Sequence, residues 1–586
     1  MFSFISKLKY IINLFPYTKG KIEFIKIQFF IVLSSVLELI SLGLIFPYLS
    51  VVTSFHDFEK NYEKTKYVYK FYEILNLEQN FFLIFLGFIL VIIFSLSSLG
   101  SLFVKYKIVN FSQNYTAYVS TKIFKKILNS NYDFFLKHSY SEIQRIINDE
   151  IGRLVSGVIL PAMVIFSKFV IITTIITLLL FRNFSLTISL ILSLLMIYFS
   201  FYYFLKSKVS RYGKELSLLG AQKIKFTHEA TAMVKEIKIY NKSSYFISFF
   251  ENVALKMAKI YSFVHVASII PRNFIDILVF SFGIFFILYL FNYTDSSISN
   301  NIALIGFYSI AAFRIIPSYQ EIYNSVIVIK NNEVSYELID RLYNYGKPLD
   351  ETFQNYKENT FDNYNKITLK IDKFSYLSKN EDQIIFDKTS IDIIKGKKIA
   401  LIGENGSGKS TLVNLIIGLL SSSDINYFID DKNIQFSNYK DILKNVAYIP
   451  QNVVLFNDTI QKNITFSDSY DHELLSESLD FSNASFFVSE QALGSDTVVT
   501  ERQLSLSGGQ VQKIGISRAF YHQRSIIICD EPFTHLDIKS ESNTLKKLLD
   551  LKDKTIIVVT HNLDRLDNFD IIYKIENNKI TLIKHE

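Results

Sequence analysis

Six stretches of about twenty mostly apolar residues mark the first 327 positions, near 29 to 52, 81 to 104, 161 to 181, 186 to 205, 263 to 291 and 301 to 327. A helix of about twenty residues crosses the hydrocarbon core of a bilayer, so the pattern predicts six membrane-spanning helices. Very short links join the third stretch to the fourth and the fifth to the sixth. Residues 105–160 and 206–262 instead form two long insertions containing Lys and Arg, as in KSKVSRYGKE. Apolar residues recur at steps of three and four in SEIQRIINDEIGRLV, and no proline precedes Pro161 in the first insertion. Both insertions are therefore expected to be helical and to prolong the spans beyond the membrane. Their positive charge places them, and both termini, on the cytoplasmic side. Residues 55–79 then lie outside. Dense in aromatics and paired charges, they read either as an amphipathic helix lying on lipid or as a folded loop capping the first two spans.

After Arg341 the pattern changes. YNYGKPLDETFQNYKENTFDNYNK is polar, holds Gly346 and Pro348, and reads as a linker. From Ile367 the chain alternates (ITLKIDKFSY) and then runs strand, glycine loop, helix. The expected organisation is a membrane α-helical domain over 1–345, a linker over 346–366, and a soluble α/β domain over 367–586.

Composition narrows the class. Hydrophobic residues make up 49% of the 586, with 54 Phe and 36 Tyr, too many for a chain soluble throughout. Its one cysteine, Cys529, excludes a disulfide framework and a cysteine-based zinc site; in an apolar strand it reads as core filler. The formal charge of +7 is spread over particular loops and forms no basic, aromatic-laced patch, so no nucleic-acid partner is expected. MFSFISKLKY lacks a small-residue cleavage site after a short apolar core and does not read as a cleaved signal peptide.

Three motifs carry chemistry. GENGSGKST, residues 403–411, follows strand-like KKIALI and precedes helical LVNLIIGLL. This is the phosphate-binding G-x-x-x-x-G-K-[ST] pattern in its proper setting. The backbone N–H groups of Gly403, Asn405, Gly406, Ser407, Gly408 and Thr411 surround phosphates, Lys409 neutralises the β and γ phosphates, and the Ser410 hydroxyl ligates Mg²⁺. Downstream, SIIICDEP reads as a buried parallel strand delivering two acids at its carboxyl end, where ligands of such sheets bind. Asp530 is the expected Mg²⁺ partner, and Glu531 is placed to orient and deprotonate an attacking water. In QLSLSGGQVQ, Ser507, Gly508, Gly509 and Gln510 open a helix whose bare N–H groups and positive dipole end face an anion. Alone, that segment is half a cage.

P-loop, glutamine, LSGGQ, Asp-Glu and histidine in this order resemble the nucleotide-binding domain of ATP-binding cassette transporters. Six spans with long cytoplasmic helices ahead of it resemble the exporter type of that family, and the likeness covers nearly the whole chain. It implies ATP and Mg²⁺ as cofactors. It implies that Tyr376 in FSY stacks on adenine, that Gln451 in YIPQNVVLF reaches Mg²⁺ and senses the membrane domain, and that His561 in IIVVTHN contacts the γ-phosphate. THLD, from Thr534 to Asp537, resembles the D-loop. The family also closes the LSGGQ of one copy over the P-loop of another, so Ser507 and Gly509 would serve a partner's site in a homodimer, with a heterodimer as the alternative. The insertion tips, near NSNYDFFLKHSY and EATAMVKEIKIYNK, would couple the domains beside Gln451. Two departures stand out: Val511, Gln512 and Lys513 where the family usually reads Lys-Gln-Arg, and TERQ at residues 500–503 where it commonly reads Gly-Glu-x-Gly.

Within the spans, Ser34, Glu38 and Ser41 share one helix face, which avoids lipid. Arg272 and Asp276 lie four apart in IIPRNFID, and Arg314 precedes Pro317 in AFRIIPS. Each of these charges reads equally as an internal ion pair or a substrate contact. ELISLGLIFPYL, residues 55–79, PRNFID and FRIIPS are similar to the bacterial flippases that turn over lipid-linked oligosaccharides for protein N-glycosylation. That narrower likeness implies a pyrophosphate-sugar head group at Arg272 and Arg314, since Arg suits bidentate phosphate contact. The expectation is ATP-hydrolysis-driven export or flipping of an amphipathic substrate across the bacterial inner membrane, with the nucleotide-binding domain in the cytoplasm. A lipid-linked oligosaccharide leads, a peptide or multidrug/lipid exporter follows, and a non-transporting ATP-gated membrane protein stands last.

Overall fold

The computed structural model describes residues 18–53, 72–75, 78–182, 184–293, 298–344, 364–376, 383–499, 506–533, 536–561 and 563–585. The opening MFSFISKLKY, most of residues 55–79, most of the 346–366 linker, residues 500–503 and Thr534 lie outside the described residues. Two compact units result, Met1–Ser130 with Phe134–Leu349, and Asn131–Asp133 with Asp350–Glu586.

In the first unit, α1 (Thr18–Gly43) resumes after a turn as Ile45–Thr53, followed by α2 (Gln79–Leu128), α3 (Leu160–Arg182), α4 (Phe184–Ala232), α5 (Ser243–Tyr293) and α6 (Ile298–Asn344). At 1.5 Å per residue, the 50 residues of α2 span roughly 75 Å, more than twice a hydrocarbon core of about 30 Å. The insertions therefore do extend the spans as helix, and their tips hold short helices, Tyr132–Lys137 and Val234–Ile239. Among the described residues five segments are long and apolar enough to cross a membrane: Gly20–Leu49, Asn80–Leu128, Tyr140–Phe181, Thr187–Ala232 and Ser243–Ile277. The expected sixth stretch, 301 to 327, lies within the unbroken helix α6, and the side chains at its start are outside the described residues.

Between α2 and α3 the expected regular helix widens into two π-helical turns, Ile146–Glu150 and Val155–Ile159. Apolar side chains there, among them Ile151, Leu154 and Val155, join a cluster with Val119 and Ile123 of α2. Burying each of them contributes roughly 1.5–3 kcal/mol. The carboxylate of Glu150, only 1% exposed, accepts from Ser217 Oγ of α4 at 3.0 Å and from Ser335 Oγ of α6. Arg153 lies 3.4 Å from the same carboxylate. A buried carboxylate persists only when paired and hydrogen-bonded, so this knot pins three helices in one register.

The second unit holds two sheets. One is antiparallel, order β2-β1-β4-β5, built from β1 (Lys366–Tyr376), β2 (Gln383–Ile394), β4 (Ile425–Ile429) and β5 (Lys432–Ile434). The other runs β10-β9-β3-β8-β7-β6, from β3 (Lys398–Gly403), β6 (Val446–Ile449), β7 (Ile526–Asp530), β8 (Thr555–Val559), β9 (Ile571–Glu576) and β10 (Lys579–His585). All its pairs are parallel except that of the edge strand β10. The unbroken runs IIICD and TIIVV are buried at every position, as central parallel strands covered on both faces require. Helices α7 (Lys409–Ile417), α8 (Gly508–Tyr521) and α9 (Ile538–Leu549) follow their strands or loops. Cys529 is fully buried in β7, and burial pushes its thiol up to about 12; it is inert filler.

Candidate functional site

Four adjacent strands end on one edge of the parallel sheet. From β3 comes the glycine loop, from β8 His561, from β7 Asp530 and Glu531, and from β6 Gln451. The carboxyl ends of such strands are where ligands of open α/β sheets bind.

The loop is shaped by its glycines. Gly406 and Gly408 adopt positive φ of 82° and 104°. A Cβ on Gly403 would lie 2.6 Å from the Ile575 carbonyl oxygen and 2.7 Å from Ser407 Oγ, and one on Gly408 2.8 Å from Ile385 Cγ2. Backbone N–H groups can therefore turn inward and a ligand can approach closely. Ser407 Oγ is buried without a partner among the described residues, a hydroxyl left for a ligand to satisfy, and this fits a phosphate group. Lys409 donates to the carbonyls of Gly403 and Glu404, both at 2.9 Å. Burial lowers its pKa, while Glu531 and Asp530 push it back up. Tyr376 closes β1 with its hydroxyl 3.3 Å from Thr411 Oγ1, at the start of α7. Asn405 and Ser410 are exposed at the loop surface.

Beside the loop, Asp530 accepts from the hydroxyls of Ser410 and Tyr448, the latter at 3.4 Å. Burial raises its pKa, Ser410 lowers it, and neighbouring Glu531 raises it again. A carboxylate and a hydroxyl side by side are a hard oxygen pair suited to Mg²⁺, which is commonly held by one or two carboxylates plus phosphates and water. No group of three or more His, Cys, Asp or Glu comes together among the described residues. Glu531 has φ 48°, a left-handed conformation costly for a non-glycine residue and characteristic of functional turns. Both of its carboxylate oxygens are engaged: Gln451 Nε2 donates to Oε2 at 2.8 Å, and His561 Nε2 lies 2.5 Å from Oε1. The resemblance assigned Gln451 to Mg²⁺ and His561 to phosphate; here both meet at Glu531.

Ser507 caps α8. Its hydroxyl accepts from Gln510 N at 3.3 Å and its own N–H donates to Gln510 Oε1 at 2.9 Å, a reciprocal capping box. The cap orients the first turn, where Gly508 and Gly509 present N–H groups that no helix satisfies internally. Gln512, 1% exposed, donates to the Pro450 carbonyl at 3.4 Å, tying this helix to the loop that carries Gln451. Asp537 caps α9 by accepting from Ser540 N at 2.9 Å, and hydrogen bonds from the Ser540 hydroxyl and then its backbone N–H hold its carboxyl below the usual range. Sequence reasoning missed Tyr448, although β6 pairs it with Ile528 of the strand that ends in Asp530, and period-two alternation was the available signal.

In the membrane unit Ser34, Glu38 and Ser41 are 5%, 5% and 1% exposed, so the polar face does turn inward. Arg314 meets it: Nη1 donates to Glu38 Oε1 and Nη2 to Ser98 Oγ, both at 3.2 Å. Its guanidinium lies 4.1 Å from the centre of the Phe94 ring. Arg272 and Asp276 pair with each other at 4.0 Å on an exposed face of α5. The structure thus joins Glu38 to Arg314 and leaves the other two apart from them.

A phosphate cradle, a magnesium-suited oxygen pair and a poised carboxylate on one sheet edge, with a long-helix membrane unit in the same chain, define the transporter class. The family model for ABC transporters matches residues 386–534, and the model for the ABC transporter transmembrane region matches residues 24–314. The chain belongs to the ATP-binding cassette transporters; it is a multi-pass membrane protein of the exporter type whose nucleotide is ATP. It is 37% identical over 212 residues to the ATP-dependent lipid A-core flippase of Pasteurella multocida, covering 35% of this chain and 36% of that one. To the ATP-dependent lipid A-core flippase of Haemophilus influenzae (strain 86-028NP) it is 34% identical over 218 residues, 37% of each chain. These matches span little more than a third of either relative. A solved bacterial Atm1-family ABC exporter with ATP bound shares the fold at TM-score 0.78 and 17% identity, over 96% of this chain and 95% of that one. Family and fold class are those expected from the motifs.

Proposed function

We propose that the chain works as a homodimeric ATPase that flips an amphipathic lipid across the bacterial inner membrane, with its nucleotide-binding domains in the cytoplasm. The meeting of Lys409, Ser410, Asp530, Glu531, Gln451 and His561 at the ends of neighbouring strands carries this reading. Lys409 and the loop N–H groups hold the phosphates, and Tyr376 offers a face to the adenine. Ser410 and Asp530, with Gln451 in reach of the same edge, would hold Mg²⁺, which supplies charge neutralisation at the β and γ phosphates. Glu531 orients the attacking water and takes its proton. His561 and Gln451 fix the Glu531 carboxylate until nucleotide draws them away. Ser507, Gly508, Gly509 and Gln510 of one copy complete the cage of the other, beside Asp537. Closing the two composite sites drives the cavity between its inward and outward states.

A lipid cargo is supported by the names of the relatives, lipid A-core flippases, and by charged groups held inside the membrane unit. A lipid-linked oligosaccharide is the finer form, resting on the likeness of PRNFID and FRIIPS to that flippase group. Glu531→Gln should lower ATP turnover by about 100-fold or more while ATP binding persists; unchanged turnover removes Glu531 from the mechanism. Stimulation of ATPase activity by lipid-linked oligosaccharide, by lipid A-core and by peptides, compared in one reconstituted preparation, decides the cargo. Stimulation by peptides alone overturns the lipid reading.

A further inference from the structure

Two cavities adjoin in the membrane unit, and both are lined by Phe94 and Phe313. One, about 540 Å³, is mainly apolar, walled by Ile45, Leu90, Val91 and Ile310 with three serines. Its neighbour, about 240 Å³, is lined by Glu38, Arg314 and Lys168 with Ser98, Ser101 and Ser318. Every wall belongs to α1, its continuation Ile45–Thr53, α2, α3 or α6 of a single chain.

The charges in the polar chamber do not balance. Arg314 is already held by Glu38, Ser98 and the Phe94 face. The atoms of that pair left without a partner, Arg314 Nε and Glu38 Oε2, are sealed from solvent, so no ligand reaches them. Lys168 is different. Its Nζ lies 3.4 Å from Glu321 Oε2, but Glu321 also serves Lys105 at 3.7 Å, one carboxylate for two ammonium groups. Among the residues that line the polar chamber, two bases, Arg314 and Lys168, face one acid, Glu38. An unbalanced charge at membrane depth is costly unless an anion joins it. Arg272, the other cation expected at the cargo, lines neither cavity.

We propose that each chain holds one anionic lipid in these joined chambers, with the anionic head group against Lys168 and the serine hydroxyls and the adjoining hydrocarbon in the apolar chamber. Lys168 is then the head-group cation, and Arg314 a positioning residue that keeps the wall in place. This deepens the lipid-flippase reading and rests on it, but its test involves no hydrolysis.

The full-length protein, free of nucleotide in phosphatidylcholine nanodiscs, is titrated with fluorescent phosphatidic acid and with phosphatidylcholine carrying the same chains and label. Wild type should prefer the phosphatidic acid and bind one per chain. Lys168→Gln should weaken that binding by about fivefold to tenfold, the loss of one cation near lipid phosphate, whereas Lys256→Gln, at an exposed cation of α5 that lines neither cavity, should leave it unchanged. Glu321→Gln should tighten it, because it frees both lysines, and a gain of affinity is not produced by misfolding. Equal binding by Lys168→Gln and wild type overturns the proposal, as does unchanged or weakened binding by Glu321→Gln. Failure of ATPase stimulation with these results intact would count against transport and not against the site.

Discussion

At the residue scale the nucleotide edge depends on positions where one atom is too many. Gly408 combines φ 104° with a Cβ direction blocked by Ile385 at 2.8 Å and Phe386 at 3.1 Å. Gly408→Ala should cost about 1–3 kcal/mol through strain and overpacking and lower ATP affinity at least tenfold, as thermal melting and nucleotide titration would show. His522 bears on pH. Burial lowers its pKa below the ordinary 6.5, and Arg524 and Arg518 add repulsion. The folded state therefore favours the neutral ring, and the unfolded chain takes up the proton first as pH falls beneath 6.5. Stability is present above that value and is lost on acidification towards the lowered pKa. His522→Phe keeps the stack on Phe466, where the ring centres lie 6.2 Å apart, and removes the titration. Its melting temperature should fall less between pH 7.5 and 5.5 than that of wild type; equal falls would remove His522 as the cause.

At the element scale α8 is latched to the segment that carries Gln451. Gln512 reaches the Pro450 carbonyl, and a Cβ on Gly515 would stand 2.4 Å from Val453 Cγ2. Gly515→Ala should destabilise by about 1–3 kcal/mol and slow turnover by shifting Gln451, and Val453→Ala in the same chain should restore both. Turnover that stays low while stability recovers would show that Gly515 acts by another route. Elements of this kind were legible in the sequence wherever the backbone itself dictates residue type. The glycines of the loop, the apolar run ending in Asp530 and the Ser507 to Gln510 cap all announce their geometry locally. What the sequence hid depends on partners distant along the chain. Arg314 and Glu38 are 276 residues apart, and nothing near Lys168 reveals that it faces a cavity. The π-helical turn Ile146–Glu150 ends on Glu150, whose carboxylate accepts from Ser217 and Ser335 of distant helices, where the local pattern reads as plain helix.

At the scale of the whole molecule one chain carries one P-loop and one LSGGQ segment, and the proposed mechanism requires them to come from different copies. That requirement can be tested without a structure of the assembly. A chain bearing Lys409→Ala cannot hold phosphate but keeps a sound signature; a chain bearing Ser507→Arg keeps a sound P-loop but closes over its partner's phosphate with a bulky cation. Each alone should be nearly inactive. Mixed equally and allowed to exchange, about half the dimers pair one of each, and in every such dimer one composite site joins the sound P-loop to the sound signature while the other site is doubly impaired. If the two sites turn over independently, activity should return to about a quarter of wild type. Recovery near zero with confirmed exchange has two readings: the sites are strictly coupled, or both halves belong to one chain. A covalently linked dimer with only one site impaired separates them, since coupled sites fall silent together, whereas sites built within one chain keep about half the activity. Recovery near a quarter leaves only a cage completed by the partner, because no chain in the mixture owns both sound halves.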